Sequence, residues 1–318
     1  MVLTGHHSII VYGQISAYSQ WRLERYDPDD VSNEDLGPQR QRVGAALIGI
    51  GDDIYFIGGR LWRADDIQKS RITKFNIRTR RMTPATSLSY PRWKTACCNV
   101  TVRIAGDRDK TENGIIICGG EYGQHECKKI VELFIPQQNR ISRLPSMQIS
   151  RSAGAAVALP DGRVFVAGGR DERDIYCGLE YPKVEFCNLH SDWQTASASE
   201  FWHDAAPMIE AHSDFAMAYF KGRLIAAGGR RMKQSAELFS LPDLDHPLGQ
   251  WTLLTPFITL ITCSSLLVCN DRLFAFGGYF NDSIEELNAS TDISSWRWTI
   301  KRASTENGSC FGAMTVLL

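Results

Sequence analysis

Five short stretches of this 318-residue chain end alike: "IYFIGGR", "IIICGGE", "VFVAGGR", "LIAAGGR" and "LFAFGGY". Each sets four apolar or β-forming residues before a pair of glycines. The second glycines are Gly59, Gly120, Gly169, Gly229 and Gly278, at spacings of 61, 49, 60 and 49 residues. Runs this short, rich in strand formers, do not build helices, and no sustained 3.6-residue period marks a helical solenoid. Near the N-terminus, "SIIVYGQ" has the same shape, with Gln14 where the second glycine would stand. Counted as a sixth copy, it lies 45 residues before Gly59. The interval after Gly278 then matches the others only if the two chain ends join. The repeat therefore predicts a closed ring.

Each unit reads as four antiparallel strands. A turn signal precedes each glycine pair: Gly51-Asp52, Asn113-Gly114, Asp161-Gly162, Lys221-Gly222 and Asn270-Asp271. Before the turn lies another run with small residues, such as "RVGAALIGI" or "RSAGAAVAL". Together they form a β-hairpin. After the glycines come a polar loop and a third strand: "RITKFNI", "IVELFIP", "KVEFCNL", "SAELFSL" and "SIEELNA". A fourth strand often carries tryptophan, at Trp193, Trp251 and Trp296 with Trp298. The glycines are expected where the second strand turns against a neighbouring unit.

The unit length and these residues resemble kelch repeats over the whole chain. The carriers are the five Gly-Gly pairs, "ERYDP" at Glu24–Pro28, the "VELF" and "AELF" third strands, and Trp193, Trp251 and Trp296. More narrowly, "SIIVYGQ…LERYDP" and "LPSMQISRSAGAAVALPDGRVFVAGG" are similar to blades of the animal BTB-BACK-kelch proteins. There are departures: "NRISRLP" lacks the expected tryptophan, Met82 stands near its place in the first unit, and the Tyr-Asp pair survives only at Tyr26-Asp27. The expected fold is all-β: one domain over residues 1–318, a six-bladed kelch β-propeller with four antiparallel strands per blade. Its C-terminal strand, "CFGAMTVLL", closes the ring by pairing into the N-terminal blade.

Blades are numbered by their glycine pairs, from blade 1 at Gly58-Gly59 to the closing blade 6. In a hairpin the start of the first strand lies beside the end of the second. That rule places Arg42, Arg92, Arg151, His212, Ile261 and Cys310 at equivalent positions beside the glycines. The loops after the glycines open on the same face and add Gln14, Arg60, Glu121, Arg170, Arg230 and Tyr279, with Trp62 and Arg63 further on. Arginine's planar fork binds carboxylates bidentately, so this face is expected to receive an acidic segment of a protein or peptide. The resemblance adds that arginines at the inner-strand position contact the partner in kelch-type adaptors, which points to Arg42, Arg151 and Arg92. The competing reading pairs each arginine with a local acid such as Asp65, Asp171 or Glu172. The long connection "WQTASASEFWHDAAPMIEAH" leads to the same face. It offers Phe201, Trp202 and His203 either as interface anchors or as core packed on the next blade.

Charge and chemistry narrow the function. Lysine and arginine total 35 against 36 acidic residues, so nothing supports general binding to nucleic acid or an anionic membrane. No apolar run reaches a membrane span, and "MVLTGHHSII" has no signal-peptide pattern. Nine cysteines, with no CxxC pair, read as free thiols in a reducing, cytoplasmic setting and not as structural zinc ligands. No nucleophile motif, phosphate cradle or metal-ligand set stands out, and "GSC" at Gly308–Cys310 has no evident base. No cofactor, metal or catalytic residue is therefore expected. The expected function is protein recognition. The resemblance extends it to the substrate-binding part of a cullin-RING ubiquitin ligase adaptor, the cullin being reached through a BTB region that these residues do not contain. Two alternatives stand beside it. One is a sugar-processing enzyme like the kelch-type sialic-acid mutarotase, with an acid such as Glu121. The other is an actin-binding, cytoskeleton-associated kelch protein.

Overall fold

The structure, a computed structural model, describes residues 7–14, 20–60, 70–104, 107–122, 126–171, 179–190, 196–230, 234–259, 265–278, 281–304 and 308–317. Six four-stranded antiparallel sheets form the blades. Blade 1 comprises Ala46–Ile50, Asp53–Ile57, Arg71–Asn76 and Arg81–Ser87. Blade 2 comprises Ala96–Ile104, Asp107–Cys118, Val131–Ile135 and Arg140–Leu144. Blade 3 comprises Ala155–Ala158, Arg163–Ala167, Val184–Asn188 and His203–Ala205. Blade 4 comprises Ala216–Phe220, Arg223–Ala227, Ala236–Ser240 and Gln250–Leu253. Blade 5 comprises Ser265–Cys269, Arg272–Phe276, Ile284–Asn288 and Arg297–Arg302.

Blade 6 draws its inner strand, Ser309–Leu317, from the C-terminus and its other three, His7–Gln14, Arg22–Asp27 and Ser32–Pro38, from the N-terminus. The pairing runs from His7 opposite Leu317 to Gln14 opposite Ser309 and closes the ring. Closure matters because an open propeller would leave sheet edges unpaired. At the substituted sixth repeat the geometry is expected to differ, since Gln14 must avoid a positive φ, and it does differ. Gly13 and Gln14 do not take left-handed backbone; they continue the strand past a bulge between Tyr12 and Gly13. Glycine is still needed there, because a Cβ on Gly13 would lie 2.4 Å from the Ser309 carbonyl oxygen.

Burial alternates along the second strands, and both sides are covered. Val164 and Val166 enter a cluster with blade 2, while Phe165 and Ala167 enter one with blade 4. Six apolar clusters result, one at each junction between neighbouring blades. The outer-strand tryptophans fill the widening end of these wedges: Trp251 packs on Phe239, and Trp298 on Phe257. The inner strands, rich in alanine and other small residues, surround a central channel of about 1300 Å³.

Candidate functional site

The site is built on the side of the ring where the glycine pairs lie. There the backbones of blades 1 to 4 touch in succession. The second glycine's N–H donates to a carbonyl of the following blade: Gly59 to Arg92, Gly120 to Arg151, and Gly169 to His212. Gly119 sits at φ +61°, and a Cβ on it would come within 2.3 Å of the Arg151 carbonyl oxygen. Left-handed backbone and this close approach together require glycine. A second run of bonds rings the channel mouth: Lys94 N–H to Gly44 O, Ala153 N–H to Lys94 O, and Asp214 N–H to Ala153 O.

The predicted equivalence of Arg42, Arg92, Arg151 and His212 holds in the backbone. Each stands four residues before the inner-strand residue that pairs with the end of the second strand: Ala46, Ala96, Ala155 and Ala216. Their side chains, however, point into the blades. Arg92 is fully buried; it donates to the Gly119 and Ile130 carbonyls and pairs with Glu132. Arg151 is likewise buried, donating to the Gly168 and Lys183 carbonyls and, at 2.7 Å, to Glu185. His212 spans the Gly228 carbonyl and Glu237. Arg42, half-buried, donates to the Phe56 carbonyl and to Thr73 Oγ1, which takes the glutamate's place in blade 1. These side chains therefore offer no surface to a partner at Arg92, Arg151 or His212, and the local-acid reading is corrected as well: the acids are third-strand glutamates. Ile261 lies outside the described residues. Cys310 does not share the position; it sits inside the closing strand, opposite Gly13.

The glutamate row, missed from sequence, explains the burial. Glu132, Glu185, Glu237 and Glu285 are each the second residue of a third strand, and each accepts from the connection entering its blade. Glu132 accepts from Ser89 N–H, Glu185 from Gln148 N–H, Glu237 from Ile209 and Glu210 N–H, and Glu285 from Ile258 and Thr259 N–H. In blades 2 and 3 the arginine neutralises that carboxylate, and a buried charge needs such a partner. The signal was visible: a glutamate at the second place of four third strands, each time after an apolar residue.

Trp202 is a further correction. Residues 198–201 form a short helix with a capping box from Ser197 and Glu200, and Trp202 then folds inward. It is buried between blades 2 and 3, where its indole N–H donates to the Pro145 carbonyl. Phe201 is buried beside it, whereas His203 opens the outer strand of blade 3 and is exposed. Trp193, Trp62, Arg63 and Tyr279 lie outside the described residues.

What the face does present lies mainly over blades 1 and 2. The Arg60 guanidinium carbon stands 4.2 Å over the Trp93 ring, and Lys94 Nζ stands 4.1 Å from the same ring. A short antiparallel bridge joins Trp93 to Glu121, whose carboxylate lies 3.5 Å from Lys94. Tyr122 follows; it meets Tyr90 edge-on at 6.2 Å and carries Lys128 Nζ at 5.2 Å. Three cations, three aromatic rings and one buried carboxylate thus form a continuous patch, and Trp93 and Lys94 line the channel mouth. Arg60 is exposed, and no carboxylate among the described residues pairs with it. Arg230 is exposed at the equivalent place in blade 4, whereas Arg170 is buried against Asp214 at 2.8 Å. Among the described residues no group of three or more His, Cys, Asp or Glu side chains could hold a metal ion. No described helix is long and apolar enough to cross a membrane.

Six closed blades with this glycine-paired repeat define the class: the chain is a kelch-repeat β-propeller. It is 30% identical to human Kelch-like protein 31 over 103 residues, which are 32% of this chain and 15% of that protein. A solved structure titled "Structure of YjhT" superposes with a TM-score of 0.65 at 13% identity, covering 89% of this chain and 91% of the other, a likeness of fold. No family model matches the chain.

Proposed function

We propose that this propeller is a protein-recognition module that receives an acidic segment of its partner on the Gly-Gly face, at the Arg60–Trp93–Lys94 patch. The observation that carries the reading is the exposed Arg60 guanidinium, held over an indole and paired with no carboxylate among the described residues. Stacking uses the face of the guanidinium and leaves its N–H edge to meet a planar carboxylate. It also orders the side chain beforehand, which lowers the entropy lost on binding. The aromatic faces already carry the protein's own cations, so the patch attracts anions and does not act as a cage for a methylated lysine. Tyr90 and Tyr122 supply rigid contact area beside it, and Leu179, Ile209 and Ile258 expose apolar surface on connections of the same face over blades 3 to 5.

The Kelch-like relative supports protein partners, and the resemblance to BTB-BACK-kelch adaptors extends the proposal to substrate capture for a cullin-RING ubiquitin ligase. The cullin contact would then belong to a BTB region beyond these residues. Selection from a random peptide display library tests the recognition step. Binders should be enriched in aspartate and glutamate, and Arg60→Glu should weaken them at least about tenfold, the weight of one charge-assisted contact. Selection of basic or uncharged peptides, or binding indifferent to Arg60→Glu, would reject the reading. Co-sedimentation with filamentous actin, or heat of binding with free sialic acid, would instead favour the cytoskeletal or sugar-processing alternative.

A further inference from the structure

Blade 4 departs from blades 2 and 3 at one buried position, and the departure has a chemical consequence. Where blades 2 and 3 use Arg92 and Arg151, blade 4 uses His212, which is fully buried. Its Nδ1 lies 2.9 Å from the Gly228 carbonyl oxygen and its Nε2 lies 3.1 Å from Glu237 Oε1. A carbonyl oxygen can only accept. The Glu237 carboxylate already accepts from the Ile209 and Glu210 N–H groups at 2.8 and 2.9 Å. Both ring nitrogens therefore face acceptors, and only the doubly protonated imidazolium donates to both. An arginine carries its charge at every accessible pH; a histidine does not.

We propose that the His212–Glu237 pair is a proton-dependent lock on the connection from blade 3 to blade 4. With the proton in place, the imidazolium neutralises Glu237, and Glu237 holds the connection through the Ile209 and Glu210 amides. On deprotonation one N–H bond breaks and its proton leaves to solvent. A ring lone pair then faces an acceptor, and Glu237 is left as a buried anion without a cation. Among the described residues no other group is placed to take over. Glu210's carboxylate accepts from Ser235, Asp214 pairs with Arg170, Glu180 accepts from Ser213, and Phe215 covers the ring at 5.4 Å. The connection it fastens carries the exposed Ile209 and leads into Ser213 and Asp214 at the recognition face. Blades 2 and 3, clamped by arginine, stay fixed, so alkaline pH loosens one sector of the face.

The sign follows from linkage. An opened connection exposes an ordinary imidazole, which binds no extra proton above about pH 6.5. A closed form that keeps the imidazolium between these two acceptors binds one more proton than the open form, so the lock weakens as pH rises. One linked proton makes the expected change about tenfold per pH unit.

Amide hydrogen exchange on the full chain, expressed as protection factors between pH 6 and pH 9, tests this without any variant. Protection of the Ile209 and Glu210 amides should fall up to about tenfold per pH unit, while that of Gln148, held by Glu185 and Arg151, stays level. His212→Arg should make Ile209 and Glu210 as pH-independent as Gln148. Should that variant fail to fold, the ring nitrogens of His212 in the unaltered protein give a second reading. At pH 6 their 15N shifts should both be of the protonated type. Level protection at Ile209 and Glu210 across the range, or a neutral tautomer at pH 6, would overturn the proposal.

Discussion

Arg60 and Arg151 are both arginines beside a glycine pair, and they do different work. Arg151 is buried against Glu185, so Arg151→Ala leaves a carboxylate uncompensated and should cost about 3–5 kcal/mol in chemical denaturation. Arg60→Ala breaks no buried ion pair, only the stack on Trp93, and should change stability by no more than about 1 kcal/mol while removing acidic binders. The sequence shows where these residues stand but not which way they turn, because the deciding partner, Glu185, lies 34 residues away on another strand. Cysteine reactivity is settled at the same scale. Burial pushes the Cys310 thiol up to about 12, with its Sγ toward the Gly312 carbonyl. In the native protein Cys310 should resist iodoacetamide at pH 8, as read by mass spectrometry of the digested protein, and react once unfolded.

Blades and their junctions make a second set of expectations. The glycine pairs are legible as a repeat, yet their reason is tertiary, since the obstruction at Gly119 is a carbonyl of the next blade. Gly119→Ala should therefore destabilise by at least about 2 kcal/mol, combining left-handed backbone with a clash. Gly222→Ala, at φ +79° with nothing within 4 Å of the added methyl, should cost only about 1 kcal/mol by the same thermal or urea measurement. Hairpins, third strands and the Trp251 and Trp298 strands could be read from local pattern. The outer strand of blade 3 could not, because Trp202 suggested a loop anchor until its contact with Pro145 placed it in the core. Between blades 5 and 6, Arg272 grips Glu286 with two bonds of 2.7 and 2.9 Å and reaches Asp29. The hydrogen bond from Arg272 holds the Glu286 carboxyl below its usual range. Its stabilisation is present above the ordinary glutamate value and is lost as pH falls through the depressed one. Arg272→Met should accordingly flatten the acid limb of a stability-versus-pH curve below about pH 4.5.

At the scale of the whole molecule, ring closure and recognition are linked. Pairing of Gln14 with Ser309 completes the mouth of the channel, and the Gly-Gly contacts fix blades 1 to 4 against one another and blade 5 against blade 6, so the loops after the glycines are carried on a rigid frame. That face could be chosen from the repeat alone, and Arg60 and Arg230 on it could be named. The aromatic half of the patch could not, because Trp93 joins Arg60 only across a blade junction and Tyr122 meets Tyr90 only in the folded ring. The central claim is that a partner's acidic segment binds over blades 1 and 2 on the Gly-Gly side. Its most direct test is the hydrogen-exchange footprint of a display-selected acidic peptide bound to the intact chain. Protection should appear in residues 88–94 and 119–122, with none added in the blade 2 hairpin around residues 110–113 at the opposite end of the channel. A footprint on that hairpin, or along the exposed outer strands, would contradict the account.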